Sequence, residues 1–309
     1  MKFNVCLGNT VRSHDDWGIN HGIALTAEDL IQVLRLGLES CGHSVMVSRT
    51  YLVRDGINLF IGGFHNENRP MAKKLKEAGY RFGVVMPEWL KDGRYNPFEQ
   101  TEANARDLYD QFCEGASHAE FIWYMVEESA ETCRESNRNA HFLTIGHVPG
   151  YANLTSPEAR QYEWDFAFAG YSSDHRQSIL SALQSKGFTV AACVLEPDYI
   201  RRTLLERSRV SLSIQKSAQH SFVSLTRVPH AIMNRVPIIV EYGGPPHYLS
   251  PYCTLAEPRD FIDACVAMVR DEDLSVRATD ALNRYAAELP MQRILHDLVE
   301  TTFQHMGTA

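Results

Sequence analysis

DFAFAGYSSDHRQSILSALQSKGFTVAACVLEPDYIRRTLLERSRVSLSI, residues Asp165 to Ile214, repeats one rhythm. A β-rich run, Asp165–Ala169, precedes a helical pattern over Asp174–Lys186, then a strand over Phe188–Val194, a helix over Asp198–Arg207 and a strand over Val210–Ile214. Hairpins join neighbouring strands through a few residues, whereas each connection here is long enough to be a helix, so the strands must run parallel. Regular alternation of this kind specifies an α/β domain with crossover helices.

The rhythm extends in both directions. Towards the N-terminus it runs through a strand at Phe3–Leu7, a polar loop containing His21 and Gly22, and a helix that Thr26 caps and Cys41-Gly42 ends. Strands follow at His43–Ser48, Asn58–Gly62, Arg81–Met86, Phe121–Tyr124 and His141–Thr144, with helices at Pro70–Ala78 and Glu102–Glu114. Towards the C-terminus the pattern predicts a helix over Ser221–Asn234, strands at Pro237–Glu241 and Cys253–Ala256, helices beginning near Pro258 and Asp273, and a last helix over Met291–Gln304. Pro149–Tyr162, rich in polar and helix-breaking residues, reads as a junction. The expected organisation is therefore an α/β domain over 1–150, a second over 151–290, and a terminal helix in 291–309 that packs back on the first domain; at 309 residues, two domains sharing a cleft are the natural reading.

Composition limits the chemistry. Hydrophobic residues make up 44% and charged residues 22%, which describes a folding chain and excludes disordered, collagenous and low-complexity classes. A net charge of −8 argues against a surface built to grip nucleic acid, although a local basic patch is compatible with it. No stretch is apolar enough to span a bilayer and the N-terminus lacks a signal-peptide pattern, so a cytoplasmic protein without a transmembrane segment is expected. Seven cysteines, odd in number and without any CxxC, read as reduced thiols. The 13 histidines show no HExxH-like spacing, and no metal site or resident cofactor is expected.

The absence of GxxxxGK[ST], of GxGxxG after a strand and of GxSxG removes support for nucleotide hydrolysis, dinucleotide redox chemistry and α/β-hydrolase chemistry. The informative stretch is Arg201–Arg235. Its seven basic residues, Arg201, Arg202, Arg207, Arg209, Lys216, Arg227 and Arg235, face the single acid Glu206, a local excess of six positive charges in an acidic chain. A solvated basic helix accounts for Arg201–Arg209. Lys216 and Arg227 bracket a strand end, the loop His220-Ser221 and the expected start of a helix, where open α/β sheets bind anions such as a diphosphate; a surface lysine and a helix-bridging arginine are the plainer alternative. Glu241, ending the Pro237–Glu241 strand, can accept hydrogen bonds from a ribose diol or a sugar hydroxyl, or cap the turn that follows. Gly170 to Arg176 forms a second strand-to-helix junction carrying a cation. In the first domain Asp15, Asp16, His21 and Glu88 are the available bases, with His14, Trp17 and the segment Pro87–Asn96 around them.

The residues from Asp165 to about Asp271 resemble the glycosyltransferase-like domain of spore-maturation proteins and related group 1 glycosyltransferases of the GT-B fold. The matching pieces are Gly170 after a strand, Arg176 with Ile179, Leu180 and Leu183, the strand Ser211–Ile214, Arg227 three residues ahead of His230, and Val236–Glu241. Pro87-Glu88-Trp89 with Asn96, and Gly146–Gly150, extend the likeness in outline. The resemblance implies two Rossmann-like domains facing across a cleft, the C-terminal one holding a nucleotide-diphosphate sugar and the N-terminal one an acceptor. It implies donor-side roles for Arg176, Arg227 and Glu241; joined to the reading of the residues above, the expectation is metal-independent sugar transfer, with Arg227, His230, Glu88 and His21 as catalytic residues and Gly170, Arg176, Lys216, Ser221, Arg227 and Glu241 as donor-binding residues. A glycan, a lipid-linked molecule or another acceptor fits this expectation. A glycosyltransferase acting on hydroxylated bases in DNA, with Arg201–Arg209 on phosphates, is a less favoured alternative, and a noncatalytic sugar-nucleotide or glycan-binding protein of the same fold is a third. His230 and Phe222 stand where many retaining relatives carry glutamates, which leaves the stereochemical outcome open.

Overall fold

In a computed structural model of the chain, residues 1–6, 27–48, 51–65, 69–97, 101–194, 196–217 and 221–304 are described. The capping residue Thr26, the loop Arg12–Gly22 with His14, Asp15, Asp16, Trp17 and His21, and His220 lie outside them. The chain divides into two compact units, Met1–Ile145 together with the stretch from Met291 onward, and Gly146–Pro290.

The first unit is built on β1 (Lys2–Cys6), α1 (Glu28–Ser40), β2 (Ser44–Ser48), β3 (Ile57–Ile61), α2 (Met71–Glu77), β4 (Phe82–Met86), a small antiparallel pair β5 (Leu90–Lys91) and β6 (Arg94–Tyr95), α3 (Glu102–Ala116), β7 (Phe121–Tyr124), α4 (Ala130–Ser136) and β8 (Ala140–Phe142). Its main sheet has the order β2-β1-β3-β4-β7-β8 with every pairing parallel. A parallel sheet covered on both faces needs strands without a polar side, and β3, β4 and β7 are buried at every position. Phe60, Phe82 and Tyr124 of these strands share one core with Phe112 of α3.

The second unit comprises β9 (Trp164–Ala169), α5 (Asp174–Ser185), β10 (Val190–Cys193), α6 (Asp198–Glu206), β11 (Ser208–Ser213), α7 (Arg227–Met233), β12 (Ile238–Glu241), β13 (Thr254–Ala256), α8 (Phe261–Val269) and α9 (Leu274–Glu288). Its sheet order is β10-β9-β11-β12-β13, again all parallel. Phe166, Phe168, Leu183, Leu212, Ile239 and Phe261 form its core. Both units are Rossmann-like, the expected class. In each the second strand lies on one side of the first and the third on the other, so the winding reverses between β1 and β3 and again between β9 and β11. That reversal opens a crevice at the carboxyl ends of the two strands.

The terminal helix, α10 (Met291–Gln304), belongs to the first unit. It lies against α1 so closely that a methyl group on Gly37 would come within 2.6 Å of Leu295 and 2.9 Å of Met291. Trp123 Nε1 donates to Thr302 Oγ1 at 2.9 Å in the interior, and Asn139 Nδ2 donates to the Thr302 carbonyl. Among the described residues, no helix is long and apolar enough to cross a membrane.

One helix start differs from expectation, and two elements were not expected. The helix expected from Ser221 begins only at Arg227, because Ser224 Oγ accepts from the Arg227 N–H and the Phe222 carbonyl is taken by the Gln215 side chain, which holds 221–224 out of helical conformation. Ser221 therefore does not stand at a helix N-terminus. The β5–β6 hairpin and α4 were not anticipated. The hairpin turns through Asp92 and Gly93, both at positive φ (52° and 70°), the backbone an Asp-Gly turn adopts.

Two imidazoles are held neutral by the fold. Burial lowers His65, after β3, to about 4 against a smaller opposing pull from Asp107, and lowers His247 to about 4 as well. Neither His65 ring nitrogen has a hydrogen-bond partner among the described residues, and His247 Nδ1 accepts the Leu249 N–H, which requires its lone pair. Between pH 6.5 and about 4 the unfolded chain therefore binds protons that the folded chain refuses, so stability is complete above that window and falls as the pH drops through it. Thermal unfolding should shift to lower temperature between pH 7 and 4.5, and His65→Asn and His247→Asn should each flatten the dependence. A transition temperature unchanged across that range would contradict this assignment.

Candidate functional site

The carboxyl edge of the second sheet gathers most of the residues singled out in the sequence. β9 ends at Ala169, and the Gly170 N–H donates to the Cys193 carbonyl at the end of β10. Ser173 then caps α5, its Oγ accepting from the Arg176 N–H. Arg176 reaches across the β9/β11 crevice, its Nε donating to the carbonyls of Ile214 (3.1 Å) and Gln215 (3.2 Å) and its Nη1 to Tyr171 O (2.8 Å).

Arg227 comes to the same place from α7. Its Nη1 donates to Ser213 Oγ at 3.3 Å, and its guanidinium carbon lies 5.7 Å from the centroid of Phe168, the ring that also carries Arg176 at 5.4 Å. The ring's electron-rich face offsets part of the repulsion between two cations drawn to one spot. Gly170 makes the approach possible: a Cβ there would stand 2.9 Å from Arg227 Nη2 and 3.0 Å from Phe168 Cζ. The half-buried Lys216 sits on the turn after β11, and Ser221 Oγ accepts from the Gly243 N–H at 3.2 Å.

Glu241 is the polar centre of this edge. Its side chain is 0% exposed, and its carboxylate accepts from His175 Nε2 at 2.8 and 3.0 Å and from the Gln215 N–H at 2.9 Å. The Gln215 side chain in turn donates to the carbonyls of Phe222 and Glu241. The end of β12, the first turn of α5 and the turn after β11 are thereby tied at one point. His175, Gln215 and Phe168 were not singled out in the sequence, although His175 lies within the Gly170–Arg176 junction that was.

His230 lies elsewhere in this unit, buried in α7. Its Nδ1 is 2.7 Å from Tyr151 Oη, and the two rings meet edge to face at 5.6 Å. Below it Asn234 Oδ1 accepts from the N–H groups of Asn153 and Leu154, while Arg160 donates to the carbonyls of Asn234 and Arg235. The stretch read as a junction is thus bonded through Tyr151, Asn153, Leu154 and Arg160 to α7 and the two residues after it.

The basic run is largely answered locally. Asp198 lies 3.6 Å from Arg201 and 3.7 Å from Arg202, Glu163 pairs with Arg207, and the Arg202 guanidinium also donates to Asn153 O. Both acids lie outside the counted stretch, which is why its charge looks uncompensated in sequence.

In the first unit, Glu88 follows β4. Its Oε2 accepts from Asn96 Nδ2 at 2.6 Å, Asn96 Oδ1 accepts from the Trp89 N–H, and Ser129 Oγ donates to Glu88 O, so the β5–β6 hairpin frames the carboxylate.

No family model matches the chain, and no curated protein matches it in sequence. Solved structures do match it in fold. The T4 phage β-glucosyltransferase in complex with its UDP-glucose substrate aligns over 98% of this chain and 99% of its own at 10% identity and a TM-score of 0.58. The glycosyltransferase AviGT4, involved in avilamycin A biosynthesis, aligns over 100% and 98% at 13% identity and a TM-score of 0.55. The fold is thus of the GT-B glycosyltransferase type, as the resemblance implied. Identity this low speaks for fold and not for activity.

Glu241→Ala would leave the His175 and Gln215 donors unmatched in the interior. The expected loss is about 1–3 kcal/mol of unfolding free energy in a denaturant titration, the range for a buried donor left without its acceptor. A loss below about 1 kcal/mol would show that the network contributes little.

Proposed function

We propose that this chain is a glycosyltransferase whose second unit binds a nucleotide-diphosphate sugar at the carboxyl edge of its sheet. The observation that carries the reading is the convergence of Arg176 and Arg227, from two different helices, on the Phe168 ring beside the β9/β11 crevice. Guanidinium groups suit phosphoryl oxygens because they offer several N–H donors in one plane. Crevices at such reversal points are where open α/β sheets take nucleotide ligands. The two glycosyltransferases that share the fold along nearly their whole length support the same class of chemistry by analogy.

In this reading Arg227, Arg176 and Lys216 neutralise the charge that gathers on the diphosphate as the bond from the sugar carbon to the phosphate oxygen breaks, the task a divalent cation performs in other transferases. Gly170 lets the diphosphate approach the backbone, and Ser221 lines the far rim. Glu241 acts from beneath by holding the turn that carries Lys216, and His230, bonded to Tyr151, holds α7 and with it Arg227. The acceptor hydroxyl attacks the sugar carbon and gives its proton to a base, for which Glu88 and His21 are the candidates. The acceptor is a glycan, a lipid-linked molecule or another hydroxyl compound. The local pairing of Arg201, Arg202 and Arg207 with acids weighs against DNA in that role.

Calorimetry with UDP, GDP, ADP and dTDP tests the donor site. At least one should bind, and Arg227→Ala should weaken it about 10- to 100-fold, the worth of one or two hydrogen bonds to a charged group. Arg202→Ala, on the paired stretch, should leave affinity unchanged. Equal affinity in the parent and Arg227→Ala would remove Arg227 from the site. Release of free nucleotide from a donor sugar then separates a transferase from a protein that only binds.

A further inference from the structure

One built feature at the same edge has no role in the reading above: the outer side of the His175 ring. An ionised carboxylate only accepts hydrogen bonds, so the proton between Glu241 and His175 belongs on Nε2. This leaves Nδ1 as the ring nitrogen that Glu241 does not engage. The side chain keeps 22% of its surface exposed, and no described residue bonds Nδ1. An imidazole backed by a carboxylate through one nitrogen and clear at the other is arranged to carry a proton to whatever meets the second nitrogen.

Charged groups of both signs surround the ring. Glu241 of β12 touches it directly and has no water to share its charge. Cys265 of α8, held protonated by burial that raises it to about 12, adds no charge despite sensing Glu241. Asp263 of α8 is 3.7 Å from Lys186 at the opposite end of α5. Asp174 and Arg176 flank His175 on its own helix, and Lys216 stands on the turn that Gln215 fastens to Glu241. The ring thus lies between the buried Glu241 carboxylate and the segment that carries Arg176.

We propose that His175 is a further ligand-binding residue of this edge, donating from Nδ1 as an imidazolium to a phosphoryl oxygen of a nucleotide diphosphate, with Glu241 behind Nε2. The proposal rests on the donor reading and makes one demand that reading does not: nucleotide binding takes up a proton at His175. Within the bound state the proton stays on the imidazole, and no bond is made or broken.

The test is calorimetry of UDP and ADP at pH 7 in two buffers of different ionisation enthalpy, which counts protons taken up on binding. His175→Gln should bind about tenfold more weakly and take up fewer protons than the parent; the nucleotide's own titration is common to both and cancels in the difference. His175→Arg should retain binding without the additional uptake, a result that a merely structural histidine would not give. Glu241→Gln keeps the hydrogen-bonding shape but not the charge, and should reduce the uptake in the same direction if His175→Gln fails to fold. Parental affinity and proton uptake in His175→Gln, alongside lost binding in Arg227→Ala, would overturn this inference and leave the donor site standing. Failure of the parent to bind UDP, GDP, ADP and dTDP would overturn the donor site and this inference with it.

Discussion

A carboxylate removed from water is costly unless donors surround it, and Glu241 meets that constraint by drawing three separate segments to itself. β12 delivers the acid, the first turn of α5 delivers an imidazole, and the turn after β11 delivers a backbone N–H. None of the three segments is local to another, so the charge acts as a clasp across the strand ends. The positions of Arg176, whose Nε donates to the carbonyls of that same turn, and of Lys216 follow from it.

A second constraint works on the cations. Arg176 and Arg227 carry like charge and would separate in water, yet both are held over Phe168, a side chain fixed by the core beneath. Arg176 is anchored by three carbonyls and Arg227 by Ser213. The ring, the glycine that clears space beside it and these acceptors together pre-arrange positive charge before any ligand arrives. Preorganisation of this kind is what electrostatic stabilisation of a leaving group requires, because groups already in place need no reorganisation during the reaction.

Much of the architecture is written in local pattern. Phe82–Met86 and Phe121–Tyr124 are apolar at every position, as only a strand buried on both faces needs to be, and the alternation with helices fixes the parallel order. The site is legible where one residue's chemistry suffices, as for Arg176, Arg227 and Gly170. It is illegible where a partner is distant: nothing near His175 announces an acid 66 residues away, and nothing within Arg201–Arg235 announces Glu163. The start of α7 is illegible for the same reason: a serine such as Ser221 can cap a helix, whereas Gln215 claims the Phe222 carbonyl from outside the segment. The β5–β6 hairpin escaped because two-residue strands show no periodicity, although Asp92-Gly93 marks its turn.

The return of α10 to the first unit also orders events during synthesis. The second unit is an insertion within the first, since residues 146–290 interrupt a structure that resumes at Met291. The niche that receives Thr302 beside Trp123, and the groove over Gly37 that receives Leu295, are made early and filled last. Domains emerging from the ribosome tend to fold as units in the order they appear. Here the half begun first is the half completed last, and its apolar groove waits uncovered while the intervening half is translated.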